Sequence, residues 1–226
     1  MHKMMWAYFI NLGVNMWGDE GCDHRYSKFF PEMITDDDVW REVIDFLPTG
    51  IVRTSVAFWV LTYLSQYLGF TAGVAATIYT IMTVVQSVSP YITNVVIYEY
   101  LLKRNMNRML LCMFGVSAVS FVVMFAVQSS FVNIVFLTLA IMTANGAANT
   151  MWNVYCPSLH HTGMVSTATG YLDFVSYLAA GIANQLFANA ISQIGWGNLI
   201  LVWAILMGTG VIITIPSKTL LKIKAR

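Results

Sequence analysis

The sequence predicts an all-α membrane protein: a six-transmembrane-helix bundle preceded by a short polar segment. Three observations predict it. Hydrophobic residues fill 58% of the 226 positions and charged ones only 10%, with a mean hydropathy of +0.65; soluble domains carry about 25% charged residues. From residue 48 the chain becomes a series of apolar runs, 48–69, 72–101, 109–128, 131–155, 164–191 and 197–216. At 1.5 Å rise per residue each is long enough to cross a hydrocarbon core about 30 Å thick. The bases also alternate. Lys103, Arg104 and Arg108 lie between the second and third runs, and Lys218, Lys222, Lys224 and Arg226 follow the sixth. The connections 69–72, 128–131 and 191–197 hold no Lys or Arg. By the positive-inside rule both termini are expected to be cytoplasmic, with the bundle in the plasma (inner) membrane.

The first segment, 1–47, differs in composition from the second, 48–226. Residues 1–50 hold nine acids against four bases, a net of −5, whereas residues 51–226 hold two acids, Glu99 and Asp173, against eight bases. Pro48 and Gly50 punctuate the change, so the boundary is placed at 46–50. Residues 4–17 form an apolar run too short to span a bilayer. Asp19 and Glu20 follow it where a signal peptide would have a small-residue cleavage site. Its aromatic and β-branched content predicts a strand. Asp36, Asp37 and Asp38 then cap an amphipathic helix over 39–47. Asn15 to Asp19, together with Asp37 to Trp40, resembles the opening of some bacterial sugar-phosphate isomerase/epimerase-like barrels. On that reading the segment is a truncated or fused soluble piece; the other reading is a cytoplasmic amphipathic lead-in. Cys22, Cys112 and Cys156 are odd in number and widely spaced, so neither a disulfide framework nor a zinc pattern follows.

Polar residues divide the six runs into two sets of three. The first run carries Arg53 with Thr62, Tyr63 and Gln66. In the second, Tyr79, Thr83, Gln86, Pro90 and Asn94 recur at three- and four-residue steps and share one helix face. Asn145, Asn149 and Asn153 draw an i, i+4, i+8 line in the fourth, and Ser166, Gly170, Asp173, Tyr177, Ala180 and Asn184 share a face in the fifth at mixed three- and four-residue steps. The third and sixth have no such stripe. The order polar, polar, plain, repeated, is that of a 3+3 inverted repeat, two cavity-lining helices and one lipid-facing strut in each unit. Asn and Gln within a membrane also serve as interhelical glue, worth about 0.6–2 kcal/mol per contact. A charge there is different: an arginine at mid-bilayer costs roughly 3 kcal/mol or more, so its default reading is functional. Arg53 and Asp173 are therefore the leading candidates. His160 and His161, between Pro157 and Gly163, mark a turn. No phosphate-cradling glycine loop, nucleophile–base constellation, metal-ligand spacing or nucleic-acid face is present in the sequence. Accordingly no enzyme chemistry, cofactor, metal or nucleic-acid partner is expected.

These residues also carry a resemblance. Residues 48–226 resemble the C-terminal six-helix half of a major facilitator superfamily transporter, in particular the organophosphate:phosphate antiporter group. In that group the seventh helix reads Arg, then Trp six residues on, then Pro-Thr-Tyr-Leu. Here Arg53, Trp59 and Leu61 to Leu64 keep the spacing, with Leu61 in place of the proline. Gly170 to Asp173 and the later pair Gly195-Trp196 resemble the eleventh helix and its ending. The loop motif usual after the eighth helix is reduced to Glu99 and the bases of 103–108. Asp45 lies only eight residues before Arg53, so the first span is expected to be short.

The resemblance implies secondary transport, by alternating access, of a small organic anion such as a sugar phosphate or glycerol phosphate. Arg53 would bind the anion. Trp59, Tyr63, Gln86, Asn145, Asn149 and Asn153 would line the substrate cavity, and Asp173 would be either the counter-ion of Arg53 or a proton-coupling carboxylate. The family's second phosphate-binding arginine comes from six helices with no counterpart in this sequence. A second six-helix half or a homodimer is thus the expected partner, besides membrane lipid and the anion itself. The alternative is an inactive membrane fragment of a split, truncated or fused transporter gene.

Overall fold

The computed structural model describes residues 37–103, 105–127, 129–158, 160 and 165–215, with side chains from residue 47 onward except that of Thr167. The strand expected over 4–17, Cys22, the His161–Gly163 part of the predicted turn and the C-terminal bases lie outside them. Every element among the described residues is helical: α1 (Asp37–Thr62), α2 (Ala72–Tyr91), α3 (Met106–Ala126), α4 (Ser130–Thr150) and α5 (Val165–Thr214). Three π-helical stretches prolong them, Tyr63–Tyr67 after α1, Ile92–Leu101 after α2 and Met151–Tyr155 after α4. The chain divides into two compact units after Glu42. α1 itself runs without a break through Pro48 and Gly50, where composition placed the boundary.

Among the described residues four helical stretches are long and apolar enough to cross a membrane: Ala72–Leu101, Met106–Ala126, Ser130–Ser158 and Ala168–Thr214. The first predicted span, on α1, is not among them, because Arg53, Gln66 and a scatter of Ser and Thr lower its hydropathy. The last, at 47 residues, would reach about 70 Å as one rod, more than twice a hydrocarbon core. It is not one rod. Gly195 has φ 76° and ψ 172°, a backbone state outside any helix and open to glycine because it lacks a Cβ. Across that break the Phe187 and Trp203 rings lie 6.2 Å apart, though sixteen residues of straight helix would separate them by about 24 Å. α5 is therefore a hairpin of two antiparallel arms, 165–194 and 196–214.

Packing fixes the directions of the other helices. Phe121 meets Trp203 at 5.8 Å, and the Phe114 ring lies against Gly210, so α3 runs antiparallel to the second arm. The Ser117 hydroxyl donates to the Ala140 carbonyl at 3.1 Å, as expected of the α3–α4 hairpin. Ser89 Oγ donates to the Met142 carbonyl at 3.2 Å, and Thr93 sits on Gly146, so α2 and α4 are parallel. A Cβ on Gly146 would come within 2.8 Å of Thr93 Cγ2 and 2.9 Å of Met113 Sδ, so only glycine admits both neighbours. α1 runs with the first arm: Gly50 touches Ser176 and Tyr63 touches Trp196. Six segments thus alternate in direction along the chain.

The core lies between α3, α4 and the second arm, where Met109, Phe114, Phe121, Leu137, Ile141 and Trp203 are fully buried. α3 was expected to be a peripheral strut. It is one on the face of Cys112, Val116, Val119 and Val122, which are exposed, but its other face is core. α2, expected to line a cavity, is the least enclosed: 17% of its most apolar window is buried, against 50% for α4. Large apolar side chains face outward throughout, among them Phe174, Leu178, Ile182 and Leu186 at four-residue steps on the first arm. A surface of this kind suits hydrocarbon far better than water.

Candidate functional site

Arg53 sits where α1, the end of α4 and the first arm of α5 converge. Its guanidinium carbon lies 4.7 Å from the centroid of Trp152 and 5.7 Å from that of Tyr177. Cation–π contacts of this kind are worth about 0.5–2 kcal/mol each, more as water is excluded. Neither contact is a hydrogen bond. Nε and Nη2, the two nitrogens of one edge, are buried without a hydrogen-bond partner. Together they form the fork that grips a carboxylate or phosphate with two parallel N–H···O bonds.

Close helix approach brings these groups together. A Cβ on Gly50 would collide with Ser176 Oγ and lie 2.8 Å from Ser176 Cβ. Glycine one turn before Arg53 therefore lets α1 lie directly against the first arm. Trp152 is delivered by the π turn Met151–Tyr155, whose wider coil takes up an extra residue and turns the following side chains. Above Arg53 the same face of α1 continues into an aromatic cluster. Trp59 and Trp196 meet at 6.3 Å, Tyr63 and Trp196 at 5.5 Å, and Tyr63 stacks on Tyr67 at 5.2 Å. Trp59 Nε1 and the Tyr63 hydroxyl are buried without partners.

Asp173 lies one turn before Tyr177 on the first arm, half-buried, its Oδ1 buried and without a hydrogen-bond partner. It makes no ion pair with Arg53, so the resting counter-ion contact expected of it is not formed. The cation lies against rings instead. Ser176 Oγ and Asn184 Oδ1, on the same arm, are buried and unpaired as well.

The remaining predicted residues lie elsewhere on their helices. Gln86 is half-buried on α2; Asn145 and Asn149 are half-buried on α4, and Asn153, on the π turn, is exposed. No hydrogen bond joins them to Arg53 among the described residues. A separate groove of about 430 Å³ between α2 and α4, walled by Ile78, Met82, Val85, Ile134, Leu139 and Met142, contains none of the predicted site residues. Among the described residues no three His, Cys, Asp or Glu side chains come together to hold a metal. Sequence reasoning missed Trp152, whose signal was its place beside Asn153, and Ser176, whose only signal was its position within the stripe of the fifth run.

No family model matches the chain, and neither a curated protein nor a solved structure does. What fold and site define is a class. The described residues are almost entirely helical, and among them four helices are long and apolar enough to cross a membrane, the signature of a membrane protein.

Proposed function

We propose that the protein is a secondary membrane carrier that holds a small organic anion, such as a phosphorylated solute, at Arg53. One observation carries this reading. The guanidinium is clasped by Trp152 and Tyr177 while its Nε–Nη2 edge stays buried and unpaired, although a buried donor without a partner costs about 1–3 kcal/mol, and more when charged. Among the described residues no carboxylate pairs with this half-buried cation. The alternating directions of six segments and the polar, polar, plain order support a 3+3 arrangement of six spans. Alternating access needs two bundles about a midplane site, so the six-helix unit works with a second bundle, either a copy of itself or another chain. The cytoplasmic placement of the bases at 103–108 sets the orientation.

The test is exchange in proteoliposomes loaded with phosphate and supplied with labelled phosphate, glycerol phosphate or a sugar phosphate. Exchange by the wild-type chain is expected to fall at least a hundredfold in Arg53→Ala. Exchange that persists in Arg53→Ala removes the arginine from the mechanism.

A further inference from the structure

Unpaired polar atoms lie on both helices that meet near Arg53. On α1, Arg53 Nε and Nη2 and Trp59 Nε1 can only donate, while Ser55 Oγ and, in the π turn that prolongs α1, the Tyr63 hydroxyl can do either. On the first arm of α5, Asp173 Oδ1 and Asn184 Oδ1 can only accept, and Ser176 Oγ beside them can do either. A ligand that satisfies both walls must present acceptors to α1 and donors to α5. A plain anion satisfies α1 alone.

Charge leads to the same requirement. Outside the stretch 99–108, Arg53 and Asp173 are the only Asp, Glu, Lys or Arg between residues 51 and 217. The two charges sum to zero but do not touch. An anion placed on Arg53 leaves the Asp173 carboxylate uncompensated, and a phosphate dianion brings the site to −2 in a medium where each unpaired ion costs several kcal/mol. A zwitterion leaves the sum at zero and pairs both ends. Gly50 is level with Ser176, so Arg53 and Asp173, one turn to either side, have backbone levels about 9 Å apart.

Resting on the anion site proposed above, we infer that the substrate is a small zwitterion, its carboxylate or phosphate on Arg53 and its ammonium on Asp173, with Ser176 as a second acceptor. The ligand class is thereby narrowed from organic anions to those carrying an amine a few bonds from the acid. Asp173 becomes the residue that selects among them.

Matched pairs test this by titration calorimetry on the full chain in lipid nanodiscs. β-Alanine is set against propionate, and O-phosphoethanolamine against ethyl phosphate and glycerol phosphate. In each set the ammonium compound is expected to bind at least tenfold more tightly, about 1.4 kcal/mol. Asp173→Asn is expected to abolish that preference. Arg53→Gln is expected to weaken every compound. The wild-type comparison needs no variant, so a variant that fails to fold does not blur the result. Equal affinities within the wild-type pairs, or a preference unchanged by Asp173→Asn, overturn the zwitterion while leaving the anion site standing. A preference for glycerol phosphate equal to that for O-phosphoethanolamine also overturns it, since any hydroxyl would then suffice. Absence of binding by every compound refutes the anion site and this inference with it.

Discussion

Replacing Gly50 by alanine tests the helix approach on which the site is built. The added methyl would lie 2.8 Å from Ser176 Cβ and 3.2 Å from its Cα, and would collide with Oγ, the one atom able to swing away. The remaining contacts are with Cβ and backbone, so α1 must move outward by a few tenths of an ångström or more. Overpacking of this order costs about 1–3 kcal/mol, which for a chain of this size lowers the unfolding midpoint by roughly 2–10 °C. Ser176 Oγ has no hydrogen-bond partner to lose, so Ser176→Ala by itself should be neutral or slightly stabilising. Gly50→Ala with Ser176→Ala keeps the Cβ–Cβ collision and should recover only part of the loss. Gly50→Ala with Ser176→Gly should recover most of it, less the roughly 1 kcal/mol of helix propensity that glycine forfeits. The assay is thermal unfolding read by a thiol-reactive fluorophore on Cys156, which is buried, with Cys112, which is exposed, and Cys22 both changed to alanine. A Gly50→Ala chain that unfolds at the parent temperature, or whose loss is the same with and without Ser176→Gly, would refute the close contact. The placement of Arg53 against Tyr177 would fall with it.

Two further outcomes follow from the same geometry. Trp152→Leu removes the nearer ring from Arg53 and should weaken anion binding about two- to thirtyfold, the range of a single cation–π contact of 0.5–2 kcal/mol. Trp152→Phe should recover part of that loss, and calorimetry showing Leu and Phe alike would remove the ring from the account. Cysteines at Phe187 and Trp203, in a background with the three native cysteines replaced, should be joined efficiently by a short bismaleimide, because the two arms of α5 fold back at Gly195. A continuous helix would hold them about 24 Å apart and give no intramolecular product.

Particular residues show how far the primary structure could be read. Helical runs and their order were legible because a bilayer requires about twenty apolar residues per crossing, a demand written directly in composition. Arg53 stood out for the same reason, as a cation in a run with no other charge. The α2–α4 contact was not legible: Thr93 and Met113, which meet Gly146, are 53 and 33 positions away from it along the chain. The asparagine line was legible only as long as α4 stayed an ideal helix. The π turn at Met151 ends the fixed spacing, leaves Asn153 exposed and brings Trp152 over Arg53. The counter-ion role for Asp173 rested on opposite charge alone, which carries no information about level along the bundle.

Composition and local pattern by themselves determined that the protein is helical and apolar enough for a membrane, and that Arg53 and Asp173 are its two isolated charges. Those properties depend on transfer free energies and periodicity, both local to the chain. Only the tertiary structure decided that aromatic rings, and not a carboxylate, hold the guanidinium. It also left polar atoms unpaired on both helices around that cation, Nε and Nη2 of Arg53 on α1 and Oδ1 of Asp173 on α5. The reason is physical: which groups meet depends on the rotation and axial shift of packed helices, and these are set by contacts such as Gly50 on Ser176 between residues far apart in the chain.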